Sequence, residues 1–170
     1  LVLRGLSVKI TLTPQQQQAC AWAALVKMSK DDESLTNGRR YNNSINYFER
    51  IAEFTESTAS EWAVALYFGI EFDPFEIKYK NKADVGSKLE IKWTKYDEGS
   101  LIVHEYDRPT DIAVLVVGKA PTYRIAGWIP VSIAQRARYR HTTQPNWWVS
   151  QINLQPIENL RRSNYGQAAI

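Results

Sequence analysis

Apolar and polar residues alternate over residues 6–12, with Leu6, Val8, Ile10 and Leu12 in phase, which predicts a short strand. Thr13-Pro14 then marks a helix start, Thr as the cap and Pro at the first helical position. The predicted helix ends near residue 30 and carries Ala19, Trp22, Ala23 and Val26 on its apolar face. Residues 31–43 are polar, contain Asn37-Gly38 and read as a loop. Over residues 44–68 the 3.6-residue period returns through Tyr47, Phe48, Ile51, Phe54, Trp62, Ala65 and Leu66. Gly69 suits the stop of this helix, and the polar stretch 55–60 is a candidate break within it.

Beyond Gly69 the period shortens to two. Residues 75–79, 89–94, 101–106, 112–117 and 123–129 are predicted strands. Gly86-Ser87 is a turn signal, and Asp107, Arg108, Pro109 and Thr110 read as a hairpin turn between two of the strands. Residues 132–139 read as a short helix and 147–152 as a last apolar segment. Helices first, then a mostly antiparallel sheet with a late helix, is an α+β layout, here in a single domain over residues 1–170.

Composition narrows the class. A hydrophobic fraction of 44% with 23% charged residues describes a folded globular chain rather than a disordered one. The net charge of +3 permits binding to a polyanion without demanding it. Six Trp and nine Tyr serve core packing or base stacking. The single cysteine, Cys20, excludes an internal disulfide and a Cys-based zinc site, and its place on the first helix makes it a core residue. His104 and His141 lack ligand spacing. No membrane-length apolar run and no signal segment is visible, so the expectation is a cytoplasmic protein without a membrane partner. A homo-oligomer is compatible with the composition.

The chemistry concentrates in residues 84–94. If the chain turns back at Gly86-Ser87-Lys88, Asp84 and Glu90 face one another, where cross-strand Cβ atoms are about 5 Å apart. Two carboxylates so close repel unless a cation lies between them, and Mg²⁺ accepts such oxygen ligands. Glu90 and Lys92, two apart, emerge on one face, while Ile91 points to the core and offers its carbonyl. A two-residue turn would instead set Asp84 against Leu89, and both registers stay open at this level. Glu76-Ile77-Lys78 repeats the E-x-K pattern, but Asp73 is too close to it for a turn and two strands, so it reads as a plain strand with exposed charges. Glu61, on an otherwise apolar helix stretch, lies near the buried face, where Lys92 or a metal-bound water would relieve the cost of its burial; the plainer reading is a helix N-terminal charge.

The helix from Glu61 to Gly69, the Asp84…Glu90-Ile91-Lys92 motif, residues 101–109, the strand from Val114 to Gly118 and the segment from Tyr123 to Ile129 together resemble the PD-(D/E)XK nuclease superfamily. Small phage and bacterial proteins of that type are the nearest in pattern. The resemblance covers residues 58–160, with 6–57 as an N-terminal strand and helices. It implies a restriction-endonuclease-like core, a central mixed sheet flanked by helices, that binds Mg²⁺ or Mn²⁺ and hydrolyses phosphodiester bonds in DNA. It also implies Asp84, Glu90 and the Ile91 carbonyl as metal ligands, Lys92 as the motif lysine and Glu61 as a helix acid. Ala83 stands where the superfamily name places Pro. A non-catalytic nucleic-acid-binding or packaging accessory protein on the same fold is the alternative expectation.

Arg136, Arg138 and Arg140, near Trp147 and Trp148, are candidate phosphate contacts, or else a solvated helix end. His104 lies one strand beyond the motif and reads as structural.

Overall fold

A computed structural model describes residues 7–30, 39–40, 43–79 and 81–170. Strand β1 (Val8–Thr11) leads into helix α1 (Pro14–Ser29), whose Thr13 cap and Gln16 bond each other's backbone reciprocally. The buried face of α1 is Cys20, Ala23, Ala24 and Met28, while Trp22 is 63% exposed. The expected face was therefore misplaced by about one residue. Small side chains, not the tryptophan, let α1 approach the next helix closely. The loop expected over 31–43 lies mostly outside the described residues; a two-residue pair, β2 (Arg39–Arg40) with β3 (Asn43–Ser44), falls at its end.

Helix α2 (Tyr47–Phe68) runs unbroken. The polar stretch expected to interrupt it is accommodated because Thr55, Thr58 and Ser60 turn their hydroxyls back onto the carbonyls of Ile51, Phe54 and Ser57. Gly69 ends the helix in the left-handed conformation, φ 70°, and Ile70 N–H closes the turn on the Ala65 carbonyl.

The remaining strands are β4 (Leu89–Thr94), β5 (Leu101–His104), β6 (Ile112–Lys119), β7 (Thr122–Pro130) and β8 (Asn146–Val149). Residues 75–79 form no strand; they belong to an irregular connection between α2 and β4. The main sheet has the order β1-β7-β6-β4, antiparallel except that β4 runs parallel to β6. It is a mixed sheet in an α+β fold. Strands β5 and β8 form a second, antiparallel pair. The expected hairpin between the strands at 101 and 112 does not form, because β5 leaves for β8 instead.

The central strand β6 explains the two-sided core. Ile112, Val114 and Val116 face α1 and α2, whereas Ala113, Leu115 and Val117 face β5, β8 and a short helix α3 (Val131–Ala134). A strand buried on both faces reads as a continuous apolar run. The chain ends in 3₁₀ turns and a one-turn helix α4 (Gly166–Ala169). Within the described residues, no helix is long and apolar enough to cross a membrane.

Candidate metal centre

Strand β4 is the edge of the main sheet opposite β1. Its odd-numbered residues turn their N–H and C=O groups to the free side. Leu89 exchanges bonds there with Val85, and the Ile91 N–H donates to Asp84 Oδ2 at 2.8 Å. Both Asp84 and Val85 N–H donate to the Leu89 carbonyl, the two-against-one pattern of a β-bulge. The turn is three residues, Gly86 to Lys88, with Gly86 at φ 58°. This resolves the open register: Val85 pairs Leu89, and the bulge aims the Asp84 carboxylate at the β4 edge.

The turn is held from an unexpected direction. Ser87 and Lys88 N–H both donate to the Ala169 carbonyl, at 2.9 and 3.2 Å. A Cβ on Gly86 would lie 2.7 Å from that same oxygen. The chain's last helix thus clamps the loop that carries Asp84.

Glu90 and Lys92 project from β4 to the same side, with Lys92 Nζ 3.3 Å from Glu90 Oε1. Lys92 lies closer to a residue that spacing did not reveal. Asp107, its side chain only 3% exposed, accepts from Lys92 Nζ at 2.7 Å and from the His104 N–H at 2.8 Å. Gln135 fixes the same loop by donating to the His104 and Asp107 carbonyls. Asp107 had read as a turn residue; nothing in its local sequence links it to Lys92. The His104 ring stacks on Tyr106 at 4.9 Å.

On the helix side, Glu61 of α2 pairs not with Lys92, as expected, but with Lys78 Nζ at 3.0 Å, and Lys78 also donates to the Asp84 carbonyl. The Phe72 ring backs this ammonium at 4.7 Å. Lys78 belongs to the second E-x-K, read as exposed. Its partner in that pattern, Glu76, does sit outside and pairs with Lys82. Lys78 itself reaches inward because the segment is irregular rather than a strand. Glu61, Asp84, Glu90 and Lys92 are thereby brought to one edge, with Lys78 and Asp107 added.

The electrostatics are strained. Burial, then the charge of Glu61, pushes the Asp84 carboxyl up to about 7, against the pull of the Ile91 N–H and the two lysines. Burial, then Asp84, pushes Glu90 up to about 7 as well. Burial raises Glu61 despite Lys78. For Lys92, burial pulls downward, but Glu90 and Asp107 outweigh it and hold the ammonium charged. Fully ionised, Glu61, Asp84, Glu90 and Asp107 would outnumber Lys78 and Lys92 by two charges, with Lys27 a further cation whose charge acts on Glu61.

Within the described residues, no group of three or more His, Cys, Asp or Glu side chains could hold a metal ion. The candidate ligand set is two carboxylates, Asp84 and Glu90, with the Ile91 carbonyl on the free edge. Such a set suits Mg²⁺, which takes one or two carboxylates and keeps several waters.

The arginines separate. Arg140 pairs with Glu105 at 3.5 Å and lies over the Trp147 ring. Arg138 lies over Tyr139, and Arg136 is exposed at the start of a 3₁₀ turn. No protein-family model, curated protein or solved structure matches the chain.

Proposed function

We propose that this protein is a Mg²⁺- or Mn²⁺-dependent nuclease of the PD-(D/E)XK kind, hydrolysing phosphodiester bonds in DNA on a restriction-endonuclease-like core. One observation carries the reading: two half-buried carboxyls, Asp84 and Glu90, each pushed up to about 7, meet at one strand edge beside the charged Lys92. A purely structural cluster gains nothing from that repulsion. Asp84, Glu90 and the Ile91 carbonyl would hold the cation. When bound, it lowers the pKa of an attacking water and offsets charge on the phosphate.

The chain's own residues do the positioning. The Ile91 N–H orients Asp84, and Asp107 holds the Lys92 ammonium where it can donate to the water or to a phosphate oxygen. Glu61, kept near by Lys78, supplies a further acceptor at the helix side of the site. In this reading the substrate is DNA and the protein phage-encoded, as the superfamily resemblance suggests, and its cytoplasmic setting is the expectation from the sequence's single cysteine and lack of a membrane-length apolar run.

The test is cleavage of labelled single-stranded, duplex and branched DNA with Mg²⁺ or Mn²⁺, for the native protein, Asp84→Asn and Lys92→Met. Metal-dependent cleavage lost in both variants is expected. Cleavage that persists undiminished in both would sink the proposal.

A second reading is a non-catalytic nucleic-acid-binding or packaging accessory protein. It is favoured by the direct pairing of Lys78 with Glu61 and of Lys92 with Glu90 and Asp107. It expects DNA binding without cleavage, unaffected by Glu90→Gln.

A further inference from the structure

A sizeable cleft among the described residues lies away from the carboxylates. It encloses about 690 Å³ beyond the end of β7, between the α3 segment and the closing 3₁₀ turns. Cavities of roughly 300–1,000 Å³ are the usual size of small-molecule sites. Three aromatic rings line it, from Trp128, Tyr139 and Tyr165, with Tyr165 45% exposed. Two guanidinium groups, Arg138 and Arg162, and several side-chain amides complete it; no carboxylate does.

These two arginines differ from others in the chain. Arg108, Arg124 and Arg140 are each paired with a carboxylate. Among the described residues, neither Arg138 nor Arg162 has an acidic partner. Two guanidiniums without a carboxylate, Arg162 and the Arg138 that lies over Tyr139, stand beside the exposed Tyr165 ring in a cleft free of acids, and match a group that is anionic at one end and flat at the other. We infer that this cleft binds a nucleotide unit of a single-stranded nucleic acid, its base against Tyr165 and its phosphates on Arg138 and Arg162.

The sheet register relates the cleft to the acidic edge. Ile129, in the cleft wall, pairs with Ala113, which pairs with Glu90. Two strand spacings make about 10 Å. Glu90 and the cleft therefore lie at the same end of the sheet. Use of both by one nucleic-acid strand rests on the nuclease reading; nucleotide binding by the cleft does not. Of the arginines at 136, 138 and 140, Arg138 lines the cleft together with Arg162, whereas Arg140 is paired with Glu105.

The experiment is fluorescence anisotropy of a labelled oligothymidylate in EDTA, which blocks metal-dependent cleavage. Arg162→Glu, Arg138→Glu and Tyr165→Ala are compared with the native protein, with unfolding midpoints checking that each variant folds. Loss of one stacked base or phosphate contact is worth about tenfold in affinity. At least that loss is expected in each variant, with a shallower salt dependence for the two arginine changes. Native-like affinity in both arginine variants overturns the inference, as does failure of the native protein to bind. If the cleft variants bind normally while Asp84→Asn abolishes cleavage, the cleft assignment fails and the nuclease reading stands. If they lose binding while the native protein cuts nothing with any metal, the reverse holds.

Discussion

Replacing Asp84 by Asn removes one of two repelling carboxyls with little change of shape, and should stabilise the metal-free protein above neutral pH. Asp84 is raised from its ordinary 3.8 to about 7. The folded state therefore holds its proton more tightly than the unfolded chain. The resulting stability is fully present below the unfolded pKa, near 4, and is lost as pH rises through 7. One pKa unit is about 1.4 kcal/mol, so the ionised Asp84 costs the fold roughly 4 kcal/mol at most. Asp84 shares this repulsion with Glu90, and Asn keeps an acceptor for the Ile91 N–H, so the net gain should be about 3 kcal/mol. For a chain of this size that raises the midpoint by about 6–12 °C. Thermal unfolding in EDTA should show the gain at about pH 8 and none at about pH 3, where both states are protonated. Adding Mn²⁺ at about pH 8 should stabilise the native protein, by about 2.7 kcal/mol at a hundredfold excess over Kd, and leave the variant unmoved. A variant no more stable than the native protein at high pH, in EDTA, refutes the buried-repulsion account.

Asp107→Ala should cost about 3–5 kcal/mol, since it leaves the Lys92 ammonium without its closest partner and the His104 N–H unsatisfied; urea unfolding measures it. Gly86→Ala forces a left-handed residue against the Ala169 carbonyl, and should lower stability by about 1–3 kcal/mol and weaken Mn²⁺ binding in calorimetry. Lys78→Met should destabilise the fold by leaving Glu61 unpaired, and Glu61→Gln should rescue it. A double-mutant cycle should return a coupling of about 1–3 kcal/mol.

Local structure is legible in the sequence where one residue type forces one backbone state. Thr13-Pro14, Gly69 and the alternation of Leu89 to Thr94 all work this way. The Asp84–Glu90–Lys92 grouping was visible because a short turn and a two-residue period need no distant partner. What the sequence hid is nonlocal. The turn residues around Asp107 resemble a hairpin, yet β5 pairs with β8 far along the chain, and the freed loop delivers Asp107 to Lys92. Lys78 was discounted because E-x-K on a strand would point it outward; the irregular connection reverses that. The clamp on Gly86 comes from the other end of the chain, which no spacing rule connects to residue 86.

The position of β4 has a consequence for solubility. An unprotected sheet margin recruits foreign strands, and proteins guard such margins with charge or distortion. Here the bulge at Asp84 and Val85 breaks the template, and the Asp84 carboxylate occupies the outward Ile91 amide. The same side chain proposed to hold a metal also blocks strand addition. Variants that shorten it to Ala should therefore self-associate where Asn does not, so a loss of activity in Asp84→Ala would mix two effects that Asp84→Asn keeps apart.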